Sequence, residues 1–126
     1  MCHHAQGDEA KYRRADRTVA TMHERENDAL VKAKTAESEF DVAIARLLAC
    51  KDYMRMNPET HNIDCNKLAE LTQQVHRTLT KFHAASQYHL IQRAYYEGAL
   101  RRQQELVTKN QQDLADIREL AGKLGS

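Results

Sequence analysis

The sequence predicts an all-α fold: a long antiparallel two-helix coiled-coil hairpin that dimerises into a helical bundle. Three observations carry this expectation. Apolar residues recur at alternating steps of three and four over nearly the whole chain, the spacing of a helical seam. One proline, Pro58, interrupts that pattern near the middle. One Pro and four Gly in 126 residues are too few to punctuate a series of strands.

The first helix is expected at about 8–56. Its stripe runs Tyr12, Ala15, Val19, Met22, Glu26, Ala29, Ala33, Ala36, Phe40, Ala43, Leu47, Cys50, Met54, and the Ala positions invite a neighbouring backbone to approach closely. The turn is expected at about 57–63. Proline disfavours helix at the residue before it, and Asn57, Thr60, Asn62 and Asp64 belong to the residue types that favour turns and caps. Asn62 or Asp64 is the candidate N-cap of the next helix. That helix is expected at about 64–122, with the stripe Leu68, Leu71, Val75, Thr78, Phe82, Ala85, His89, Gln92, Tyr96, Ala99, Gln103, Leu106, Asn110, Asp113, Ile117, Leu120, Leu124. The whole chain, 1–126, reads as one helical-hairpin domain.

A second apolar flank (Leu30, Ile44, Leu79, Leu100, Val107, Leu114) makes the seam wider than two strands need and predicts a bundle of more than two helices. Folding about Pro58 brings level those residues whose numbers sum to about 118, on helices rising about 1.5 Å per residue. Phe40 to Leu48 then faces Leu71 to Thr78, whereas Tyr95, Tyr96, Leu100, Leu114, Ile117 and Leu120 find no adequate partner in their own hairpin. Burying each such side chain is worth about 1.5–3 kcal/mol. These six residues are therefore the expected interface with a second copy or another helical protein.

Charge narrows the function. Hydrophobic residues make up 41% and charged residues 29%, and the net charge is +1, so there is no global attraction to nucleic acid and no nucleic-acid partner is expected. Locally, Lys11, Arg13, Arg14 and Arg17 begin the first helix, and Arg101 and Arg102 reach the same level after folding. These six cations are the candidate anion-binding patch, for an acidic protein or an anionic membrane.

Metal, cofactor and catalytic readings find no support in spacing. His76 and His83 are seven apart, about 10 Å along a helix, whereas zinc-binding pairs sit three or four apart. His61 and Cys65 have four-residue spacing but no further ligands close in sequence. Met1-Cys2-His3 has the make-up of a square-planar copper or nickel chelate, which removal of Met1 would destroy. Cys50 and Cys65 flank the turn almost symmetrically, so two small residues near a turn or an oxidant-dependent disulfide are the readings there. There is no Gly-rich phosphate loop or activated nucleophile. A non-enzymatic chain without a cofactor is expected. Three Cys, no apolar run of membrane-spanning length and no secretory apolar segment at the N-terminus point to a cytoplasmic setting.

Two stretches carry a family resemblance. In the second helix, Phe82-His83-x-Ala85-x-x-Tyr88 is followed by Gln92-x-x-Tyr95-Tyr96-x-x-Ala99-Leu100-x-x-Gln103-x-x-Leu106. In the first, the run is Ala33-Lys34-x-Ala36-Glu37-x-Glu39-Phe40-x-x-Ala43. Together they resemble the last two of the three long helices of the BAR superfamily of membrane-curvature scaffolds. That resemblance implies a crescent-shaped homodimer that touches anionic lipid through basic residues. The residues themselves favour a coiled-coil scaffold or assembly subunit acting through protein–protein interaction and self-association, with the BAR-like membrane module as the alternative.

Overall fold

The computed structural model describes the backbone of residues 2–125 and the side chains of residues 9–59 and 66–125. Helix α1 runs Cys2–Met56, a 3-10 turn covers Pro58–Thr60, and helix α2 runs His61–Leu124. The two helices pack against each other as a helical hairpin, and no strand occurs among the described residues.

The reversal is tighter than the sequence predicts. Asn57 is the only residue between α1 and the 3-10 turn, and it closes α1 twice. Its backbone N–H and its Nδ2 both donate to the carbonyl of Tyr53, at 2.9 and 3.0 Å. Pro58 cannot continue the α-helical ladder because it lacks an N–H, yet its fixed φ suits the first position of a new turn. Among the described residues none has a positive φ, so this turn works without a left-handed glycine cap. Helix α2 begins at His61, ahead of both candidate caps. Asn62 and Asp64 therefore do not precede it, and their side chains lie outside the described residues. Helix α1 likewise begins at Cys2 instead of near residue 8.

Two compact units divide the chain. The turn unit is Asn27–Ile91, and the terminal unit combines Met1–Glu26 with Gln92–Ser126. In the turn unit the α1 seam is made of alanine: Ala29 and Ala36 are only 1% and 2% exposed, and Ala33 and Ala43 are also buried. Small side chains let a facing backbone come close, and Ala carries no rotamer entropy to lose. Phe40 and Phe82 meet with ring centroids 6.2 Å apart, and Lys81 Nζ donates to Glu39 Oε2 at 3.0 Å.

The stretch Phe40 to Leu48 was expected opposite Leu71 to Thr78, which puts Phe40 level with Thr78, and the Phe40 ring meets a residue one turn further along, Phe82. The cause is side-chain tilt. In a helix every Cα–Cβ bond leans toward that helix's N-terminus. In an antiparallel pair the two lean in opposite directions along the axis, so Phe40, nearer the turn, and Phe82, farther from it, converge from levels about one turn apart.

The terminal unit uses a more polar seam. Tyr12 Oη donates to the backbone carbonyl of Leu106 at 2.9 Å, and Gln103 Nε2 donates to Asp16 Oδ1 at 2.7 Å. Both pairs keep the register expected from the turn. Ala15 is buried, and Val19 and Met22 are half-buried between it and Glu26. Gln92 is 8% exposed, and its Oε1 is buried with no hydrogen-bond donor.

Candidate functional site

Chemical character gathers on two flanks of the terminal unit and in grooves of the turn unit.

One flank of the terminal unit is basic. On α1, Lys11, Arg14, Thr18 and Arg25 follow one another at helical spacing, beside the seam residues Ala15 and Met22. On α2, Arg102 and Tyr95 stand seven residues apart. These two rows wall a pair of shallow grooves. The first is lined by Lys11, Arg14, Thr18 and Arg102 over Ala15, Ala99 and Leu106. The second is lined by Thr18, Arg25, Tyr95 and Arg102 around Met22, Gly98 and Ala99. None of Lys11, Arg14, Arg25 and Arg102 forms an ion pair with a described residue. The floor is small and apolar, and the walls are cationic.

The six cations expected to share one patch are thus divided. Lys11, Arg14 and Arg102 come together. Arg13 instead donates to Glu9 Oε1 at 2.6 Å, and Arg17 Nε reaches the carbonyl of Arg13 at 3.4 Å. Arg13, Arg17 and Arg101 are exposed and line neither groove. Clustering in sequence does not mean clustering on a helix, because consecutive residues are turned by about 100° from one another. Arg25 escaped the sequence reading for the same reason. The signal was present, since it lies fourteen residues after Lys11 and seven after Thr18, on a single heptad stripe.

The six expected interface residues also separate. Tyr96 is half-buried and packs on His23, with centroids 5.2 Å apart and planes at 51°, so it does have a partner in its own hairpin. This corrects the expectation that it is unmatched. Tyr95, 59% exposed, sits on the basic groove. Leu100 lies five residues on, turned by about 140° from Tyr95, and therefore belongs to the opposite flank. There Leu100, Val107 and Leu114 form a heptad stripe, each partly exposed. Ile117 and Leu120, 61% and 59% exposed, continue the seam itself toward Leu124. From Val107 to Gly125 every residue is exposed.

The turn unit holds a groove lined by Arg46, Ala49, Cys50, Tyr53, Lys67 and Leu71. Cys50 is half-buried and carries a free thiol. The expected relation of Cys50 to Cys65, the His61–Cys65 pair and the Met1-Cys2-His3 terminus fall on side chains outside the described residues. His76 and His83 are both exposed on α2, and the His83 ring stacks on Phe82 at 6.3 Å. Among the described residues no group of three His, Cys, Asp or Glu side chains converges as a metal site would require. Among the described residues no helix is long and apolar enough to cross a membrane. No family model, no curated protein and no solved structure matches this chain.

Proposed function

We propose that the chain is a non-enzymatic coiled-coil scaffold or assembly subunit that acts through self-association, as a homodimer, and through contact with other helical proteins. One observation carries this reading: the seam of α2 continues past Leu106 as Ile117, Leu120 and Leu124, all exposed. A helix that keeps an apolar stripe at regular spacing gains by covering it, at about 1.5–3 kcal/mol for each large side chain removed from water. A second copy supplies an identical stripe, and a two-fold contact buries both at once.

Sedimentation equilibrium at micromolar concentration tests this. The expected mass is about twice the 14.5 kDa of the single chain. The double variant Ile117→Glu, Leu120→Glu should sediment as a monomer. A wild-type chain that stays monomeric at high concentration ends the homodimer reading.

The basic groove supports a second reading, an anionic-membrane module of BAR-like type. Salt-sensitive co-sedimentation with phosphatidylserine vesicles, lost in Arg14→Glu, would favour it. Each exposed cation near such a surface contributes about 1 kcal/mol.

A further inference from the structure

The self-association proposed above leaves open where the exposed end of α2 is received. We infer that residues 113–124 of a second copy dock as a helix in the basic groove of the terminal unit, and that two-fold symmetry makes the exchange reciprocal.

The groove and the segment are complementary in charge, and each carries apolar residues among its charges. The groove presents Lys11, Arg14 and Arg102 without an ion-pair partner among the described residues. The segment presents Asp113, Asp116 and Glu119, all exposed, interleaved with Ile117, Leu120 and Leu124. Its present contacts are weak ones. Asp116 accepts from Gln112 Nε2 at 3.1 Å, and Glu119 pairs with Lys123 at 3.5 Å, both on the solvated surface. Exposed pairs of this kind stabilise little and rearrange readily.

Register then decides which residues meet. Tyr12 with Leu106 and Asp16 with Gln103 set the level of α1 against α2. When α2 of the second copy lies antiparallel to α2 of the first, with its Asp116 beside Arg102, its Asp113 comes level with Lys11 and Arg14. Its Leu120 then lies over Gly98 and Ala99, and its Leu124 reaches the exposed ring of Tyr95. Gly98 leaves that approach open. A Cβ built there would meet only the flexible end of Arg101, at 3.9 Å. Lys109 of the two copies falls near the two-fold axis, where its long stem lets the ammonium groups turn to water. Both grooves are filled at once, and the overlap becomes four helices around one core.

Charge reversal in the full-length chain tests the arrangement. Arg14→Glu, Arg102→Glu should weaken self-association at least about tenfold, and Asp113→Lys, Asp116→Lys should do the same, because like charges then meet in both grooves. Mixed in equal amounts, the two variants should recover a heterodimer of near wild-type affinity, since each negative groove then receives a positive segment and the reverse. The milder Arg14→Gln, Arg102→Gln and Asp113→Asn, Asp116→Asn pairs serve if a reversed variant loses helicity. Two wild-type-like reversal variants, or a mixture that stays monomeric while both components remain helical, would overturn the inference and leave self-association to another face. Loss of the dimer on Leu100→Glu, Leu114→Glu, with the charge variants intact, would move the interface to the opposite flank. A wild-type chain found monomeric defeats the self-association reading itself. Dissociation of the dimer by phosphatidylserine vesicles, with vesicle binding lost in Arg14→Glu, Arg102→Glu, assigns the groove to lipid instead.

Discussion

The two units solve the same problem with different materials. In the turn unit α1 offers alanine after alanine, so contact is close, apolar and intolerant of added volume. In the terminal unit the seam carries Tyr12, Gln92, Tyr96 and Gln103, the exposed His23 packs on Tyr96, and cross-helix contact depends on hydrogen bonds and ring packing. Small residues set the distance between helices. Polar residues set their register, because a hydroxyl or an amide has one correct partner and a methyl group has many. The unit whose register is pinned by polar contacts is also the one that bears the unmatched charged and apolar flanks. A surface that must present several side chains to a partner gains from that pinning.

The close contact of the turn unit is most vulnerable at Ala36. Ala36→Phe forces a large ring into a site with no room, and should cost about 1–3 kcal/mol or more of unfolding free energy. Urea denaturation followed by circular dichroism reads the loss. A well-tolerated Phe would mean that the alanine seam is not closely packed.

Gln92 offers an effect of opposite sign. Its Oε1 is buried and receives no hydrogen bond, a desolvation cost of about 1–3 kcal/mol. Gln92→Leu should therefore raise the midpoint of thermal unfolding. A lowered midpoint would show that this amide is satisfied in solution and belongs with the stabilising polar contacts of its unit.

Tyr12→Phe should cost about 1 kcal/mol, the usual net value of one hydrogen bond, while keeping the ring's packing. Hydrogen exchange at backbone amides of residues 100–106 should speed up, and those near Ala36 should not. Uniform acceleration would merge the two units into one cooperative block.

The smallest effect is expected at the ion pair of Glu39 and Lys81. Both side chains are well exposed, so Lys81→Gln should change stability by less than about 0.5 kcal/mol, and less still in high salt. A larger loss would make this surface contact part of the turn unit's core.

Much of this was legible in the order of residues. In α1 the buried and half-buried positions from Tyr12 to Met54 are the thirteen of the 3-4 stripe, joined only by Leu30 and Ile44. In α2 the described stripe holds from Leu68 to Leu106 and then stops being covered. Periodicity determines this much by itself, because a helix with a fixed pitch has one side on which such a pattern lines up. The turn at Pro58 was legible too, through the missing N–H of proline.

Which flank a residue occupies was decided only by the tertiary structure. Tyr95 and Tyr96 are neighbours in sequence, yet one lies on a cationic groove and the other packs on His23. Arg13 and Arg14 part in the same way, one to Glu9 and one to the groove. The seam pattern separates inside from outside, but the identity of a flank needs the second helix in register. In the terminal unit that register is held by cross-helix pairs, Tyr12 with Leu106 and Asp16 with Gln103. A helical repeat therefore specifies what is buried from sequence alone. What its two flanks present together exists only once the hairpin has closed.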